Sequence, residues 1–181
     1  MHSTDSITTI LTALRTFQGV PAHEIHALVT AGTVVELKSG QTLVEAGQPA
    51  GSGWLLAKGR LRLEVGTPAQ DIGDVWPGEI VGAHGLFGPS EIHVTTIIAT
   101  QDAILVELDR ANCQTPRLRV NHAMAALQRH MLLVTARRLG SLDSSRTRAL
   151  ASPPQPQPIQ SLPPTKTTLL GWLRSIFGGE G

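Results

Sequence analysis

The chain has 181 residues, 41% of them apolar and 3% aromatic, with a formal net charge of +1. That length accommodates one domain with a sizeable core plus a tail, and so balanced a charge creates no general field for nucleic acid or acidic substrates. The lone cysteine, Cys113, excludes an internal disulfide and a four-cysteine iron–sulfur cluster.

At the N-terminus, MHSTDSITTI lacks the basic start and apolar core of a signal peptide, and no apolar run is long enough to cross a bilayer. A cytoplasmic location is expected. Thr4–Phe17 then carries Ile7, Ile10, Leu11, Leu14 and Phe17 at helical spacing, with Ser3, Thr4 or Asp5 as caps and Gly19 as the stop. Pro21 opens a second helix, PAHEIHALVTAG, with Ile25, Leu28 and Val29 on one face. His23 and His26 stand three apart on it with no obvious third ligand, so they read as surface polar residues and no metal site is expected.

From Thr33 to Leu108 short runs alternate with Gly, Pro, Asp and Gln turns: TVVEL, TLVEA, GWLLAKG, RLRLEVG, DIGDVW, HVTTIIA and AILVEL. RLRLEV alternates charged and apolar residues, which sets one wet face and one buried face. No helical stretch separates these runs, so they predict a sandwich or barrel rather than βαβ units. A mainly β domain over 33–115, a double-sheet jelly roll, follows the helices of 1–32. Its expected interior includes Val35, Leu37, Leu43, Leu55, Leu61, Leu63, Val65, Ile97, Leu105 and Val106.

The stretch Trp76–Ala99 organises this region. A strand-like run ends in Pro77-Gly78, and a Gly-rich turn, Gly82 to Leu86, feeds a short apolar bend before the β-branched run Val94–Ile98. Such a turn aims several backbone N–H groups one way, which suits an anion, although Gly-Pro turns also join strands in proteins that bind nothing. The order of Gly40, Glu45, Gly47, Trp54, Gly59, Leu61, Leu63, Pro77, Gly78, Gly82 and Leu86 continues through Val94–Ala99 to Ala103, Leu105, Leu108 and Arg110. Over roughly residues 10–140 it resembles the cyclic nucleotide-binding domain of the Crp/Fnr superfamily.

The resemblance implies a ligand site at Gly82, Ala83, His84, Gly85, Leu86, His93, Val94 and Thr95, facing the strand Arg60–Val65. In that family a Glu in the turn accepts from the ribose hydroxyl and an Arg before the next strand pairs with the cyclic phosphate. Here Ala83 stands at the Glu position and His93 or Ile92 at the Arg position, with the loop one residue longer. A charge-assisted hydrogen bond contributes about 1.5–3 kcal/mol. Losing two weakens binding on the order of 100- to 10,000-fold. The fold is therefore expected to persist while cyclic AMP binding is lost or feeble, and no cofactor is expected. A protonated His93 standing in for Arg would make binding pH-dependent; otherwise His84 and His93 are polar residues at a loop edge.

Pro116 precedes a long helix, about Arg119–Leu139, within a segment 116–141. Met124, Leu127, Met131 and Val134 form one apolar stripe and Leu132, Ala136 and Leu139 a second. One stripe is expected to cover the roll and the other to pair with a second copy. The candidate homodimer seam is Met124, Leu127, Met131 and Val134. Arg129, His130, Arg137 and Arg138 read as the solvated side of this helix, too dispersed for a nucleic-acid patch.

Where the resembled transcription factors continue into a helix-turn-helix domain, this chain has a Pro-rich segment, 142–167, expected to be an extended disordered spacer. Residues 168–181 follow. Placed on a helix, Leu169, Trp172, Leu173, Ile176 and Phe177 gather on one side with Leu170 at its edge. This segment is expected to fold on docking to a protein partner, a membrane surface or the chain's own roll. No catalytic constellation, ligand-spaced metal cluster or phosphate-binding P-loop stands out, and Cys113 lacks a basic neighbour before Arg117 that would activate it. The resulting expectation is a non-enzymatic regulatory or adaptor protein. The alternatives are a working cyclic AMP or cyclic GMP sensor, and a Crp/Fnr-type transcription regulator.

Overall fold

Among the described residues, eight short strands separated by turns divide between two sheets. The computed structural model describes residues 3–87 and 92–151, with side chains as far as residue 140. The first sheet contains β1 (Thr33–Leu37), β3 (Ser52–Lys58), β6 (Ile80–Val81) and β8 (Ala103–Asp109), in the order β1-β8-β3-β6. The second contains β2 (Thr42–Val44), β4 (Leu61–Val65), β5 (Gln70–Val75) and β7 (Thr96–Ala99), in the order β2-β7-β4-β5. Every pairing is antiparallel, with Leu56 opposite Leu105 in one sheet and Leu63 opposite Ile97 in the other. This is the expected mainly β jelly roll with flanking helices.

Two cores share the first sheet, because alternate side chains point to opposite faces. Trp54, Leu56, Val81 and Leu105 face the second sheet and meet Val44, Leu61, Leu63, Val75 and Ile97 inside the roll. Leu55, Ile80, Val106 and Leu108 face outward onto a helical layer containing Ile7, Leu11, Phe17, Ile25, Leu28, Leu118, Met124 and Leu127. Leu55 and Val106, expected inside the roll, therefore belong to the other core. Val65, also expected inside, is exposed at the end of β4. Gly59 is required where β3 turns into β4: its φ is +98°, and a Cβ there would stand 2.4 Å from the Asp102 carbonyl oxygen.

The N-terminal region is shorter in helix than its apolar spacing predicts. Helix α1 covers Thr4–Thr12 and gives way to a 3-10 turn, Arg15–Phe17. The hydroxyls of Thr8, Thr9 and Thr12 donate to the carbonyls four residues back, a bond that competes with regular helix geometry. Leu14 is extended, and the 3-10 turn sends Phe17 into the helical core. Helix α2 (Ala22–Thr30) follows.

After β8 come α4 (Arg110–Cys113), α5 (Pro116–Arg119) and the long α6 (His122–Ala151). Asn121 starts α6: its Oδ1 accepts from the Met124 N–H, its Nδ2 donates to the Glu24 carbonyl, and the His122 N–H donates to the Glu24 carboxylate. The helix continues past Leu142, where a Pro-rich spacer was expected, because the first proline after it is Pro153. The rest of that spacer and the candidate docking residues Leu169, Leu170, Trp172, Leu173, Ile176 and Phe177 lie outside the described residues.

The expected dimer seam needs correction. Met124 and Leu127 are buried in the helical core of their own chain, and Met131 packs against it. Val134 is half-buried. The stripe left exposed on α6 is instead Leu132 and Leu139, with Ala136 between them. Amphipathic spacing specifies that two stripes exist, whereas the angle at which α6 docks decides which one is covered.

Candidate functional site

The Gly-rich turn lies between β6 and α3 (Ala83–Phe87). Gly82 has φ +69°, and a Cβ on it would stand 2.8 Å from the Trp54 ring, so glycine here meets both a backbone and a packing demand. Gly85 sits equally tightly: an added Cβ would be 2.9 Å from the Ser52 carbonyl oxygen. Leu86 anchors the bend in the helical core. The turn is thereby pressed onto the start of β3.

The sequence-predicted site residues divide by direction. His84 is exposed, as is Val94, and Thr95 is half-buried. His93 is buried, with its ring centroid 5.3 Å from that of Trp54 at an interplanar angle of 40°. Its main chain is held on both sides, donating from N–H to the Gln48 carbonyl at 2.8 Å and accepting from the Gly47 N–H at 2.7 Å. These bonds replace the start of the expected strand, so β7 begins at Thr96 rather than Val94. Burial lowers the His93 pKa from its ordinary value of 6.5, which favours a neutral imidazole. A buried ring tilted against an indole, its pKa lowered by burial, is a poor substitute for a guanidinium, which opposes the protonated alternative.

The facing strand β4 supplies only apolar groups to the interior, Leu61 and Leu63. Arg60 and Arg62 belong to the opposite face. The Arg60 guanidinium carbon lies 3.9 Å from the Trp76 ring centroid, with Nη1 3.9 Å from Asp74, and Arg62 pairs with Glu64 at 2.8 Å. Among the described residues, the core cluster that holds Trp54, Leu61 and Leu63 and the His93 ring packed on Trp54 include no charged side chain.

One guanidinium does reach the bend, from a position matched in the resemblance but not assigned there to the ligand site. Arg110, at the start of α4, donates from Nε to the Gly85 carbonyl at 2.9 Å. It ties α3 to the end of β8 through a main-chain acceptor. Trp54, matched in the resemblance as an aromatic strand position, also belongs to this corner, against Gly82 and His93. Elsewhere, burial pushes the Cys113 thiol up to about 11, with Asp109 adding to the effect, which opposes a reactive thiolate. Among the described residues no helix is long and apolar enough to cross a membrane.

Comparison with known proteins agrees with this geometry. Residues 34–115 match the family model described as the cyclic nucleotide-binding domain. The N-terminal domain of a transcriptional regulator from Streptomyces coelicolor A3(2) is 25% identical with a TM-score of 0.54, over 75% of this chain and 95% of that one. A cAMP-binding acyltransferase from Mycobacterium smegmatis is 25% identical with a TM-score of 0.53, over 64% of this chain and 39% of the acyltransferase, so the chain spans well under half of that protein. The sensor domain of the transcriptional regulator DNR from Pseudomonas aeruginosa shares the fold at 16% identity and a TM-score of 0.55, over 87% of this chain and all of that one. No curated protein sequence matches the chain. Residues 34–115 thus carry both the two-sheet fold and the family-model match of a cyclic nucleotide-binding domain.

Proposed function

We propose that this chain is a non-enzymatic regulatory module whose nucleotide pocket no longer grips a cyclic nucleotide in the ordinary way. The observation that carries this reading is the tilted Trp54–His93 ring pair beside a turn that has Ala83 in place of a carboxylate. The positions of both charged contacts of the resembled family hold Ala83 and His93 instead, and an indole and a buried imidazole lie beside the turn. Output runs through a segment outside the roll: residues 168–181 dock on a protein partner and recruit this otherwise cytoplasmic chain to a larger assembly, and the exposed stripe of α6 joins two copies.

Calorimetry with cyclic AMP and cyclic GMP tests the pocket. The expected result is no saturable binding at micromolar ligand; micromolar affinity would refute the reading. Arg110 favours the second reading, a working sensor, because it brings a guanidinium to the bend by another route. Under that reading Arg110→Ala removes the micromolar binding. Co-purification with the full chain and with Trp172→Ala/Phe177→Ala tests the tail, and the same partners with both would count against docking.

A further inference from the structure

We propose a second anion site, outside the roll, in a cleft between the 3-10 turn and α6 that takes a small diphosphate-bearing compound. The cleft has a volume of about 300 Å³ and is lined by Arg15 from the 3-10 turn and by Ala126, Arg129, His130, Leu133 and Arg137 from α6. The helix residues recur at steps of three and four, which puts them on one face. Positions that are dispersed in sequence thus meet, with Arg15, at one concave surface.

Three features point to a ligand rather than a solvated helix side. First, the two lining segments carry no acid: neither residues 12–19 nor residues 122–140 include an Asp or Glu, and the Glu79 carboxylate that reaches α6 is paired with Arg138. Second, among the described residues none of Arg15, Arg129 and Arg137 forms an ion pair. Arg138, the next residue along, shows what pairing looks like on this helix: it donates to the Glu79 carboxylate at 3.0 Å and to the Asp74 carbonyl at 2.9 Å. Third, the chain as a whole is nearly neutral, so three guanidiniums around one cleft are a local concentration, not a general excess. Like charges held together repel, and a multiply charged anion relieves that repulsion. Guanidinium forks match phosphate oxygens two at a time. The volume lies at the small end of ligand sites, which suits a compact diphosphate, and Ala126 and Leu133 give an apolar wall beside the charges.

The test is calorimetric titration of the full chain with inorganic pyrophosphate at physiological salt, repeated with cyclic AMP present. Saturable one-to-one binding that cyclic AMP does not displace is expected. Arg129→Ala/Arg137→Ala should weaken it about 100-fold or more, as two charge-assisted bonds are lost. Arg129→Lys/Arg137→Lys should fall between, since lysine keeps the charge and loses the fork. These side chains lie at the surface of the cleft, so unchanged melting temperatures are expected and confirm that the variants fold. Absence of binding at millimolar pyrophosphate overturns the site, as does binding that the double alanine variant retains. Two further arms fix the ligand class. Binding to duplex DNA, or to phosphatidylcholine vesicles carrying phosphatidic acid, without binding to pyrophosphate overturns the small-ligand assignment. Displacement by cyclic AMP would place the pyrophosphate in the roll and refute the closed-pocket reading together with this one.

Discussion

Trp54 and Leu55 are neighbours on one strand and serve opposite purposes. Leu55 joins the core under the helices, which includes many of the most completely buried side chains. Trp54 joins the corner of the roll beneath the binding turn, where a histidine is buried with it and the adjoining glycines leave no room for a side chain. The first region holds the fold whatever the second does. A ligand corner can therefore lose its charged groups while the scaffold persists, since apolar burial and not the phosphate contacts supplies the stability.

The sharpest way to break this contrast is to restore the missing charges. Ala83→Glu/His93→Arg should raise cyclic AMP affinity by about 100- to 10,000-fold, read by calorimetry. No gain would mean that Trp54 closes the corner by volume, and adding Trp54→Leu would then be required for binding. Next in size, Leu55→Ala should cost about 2–5 kcal/mol in urea unfolding, because it removes a fully buried side chain from the helical core. A cost under 1 kcal/mol would show that this core does not hold the fold. Gly82→Ala should cost about 1–3 kcal/mol through its left-handed backbone and its contact with the indole. A changed tryptophan emission is expected with it.

The smallest effect is on pH. Burial lowers the His93 pKa in the folded chain, so below 6.5 the unfolded chain takes up a proton that the folded one resists. Stability that is present above 6.5 is thus lost as pH falls through the folded value, and His93→Phe should flatten that part of the urea-midpoint profile. Glu24 acts in the same sense at lower pH. Hydrogen bonds from His122 lower its pKa from 4.5, so its contribution is present above that value and lost on acidification through the folded value.

Read in one dimension, the residues specify much of this molecule. Gly59 and Gly82 mark turns that only glycine makes easily, RLRLEV announces its two faces, and Ala83 records the missing carboxylate without any coordinates. Those features are local: they depend on backbone freedom, on a period of two, and on residue identity at one position. Direction and distance are not local. Whether Leu55 points into the roll or under the helices, whether Met124 faces its own domain or another copy, and whether His93 turns toward solvent or onto Trp54 are all decided by how packed layers meet. Arg110 reaches Gly85 across 25 positions, and Arg15 meets Arg129 and Arg137 across more than 100, so only the folded chain brings those charges together.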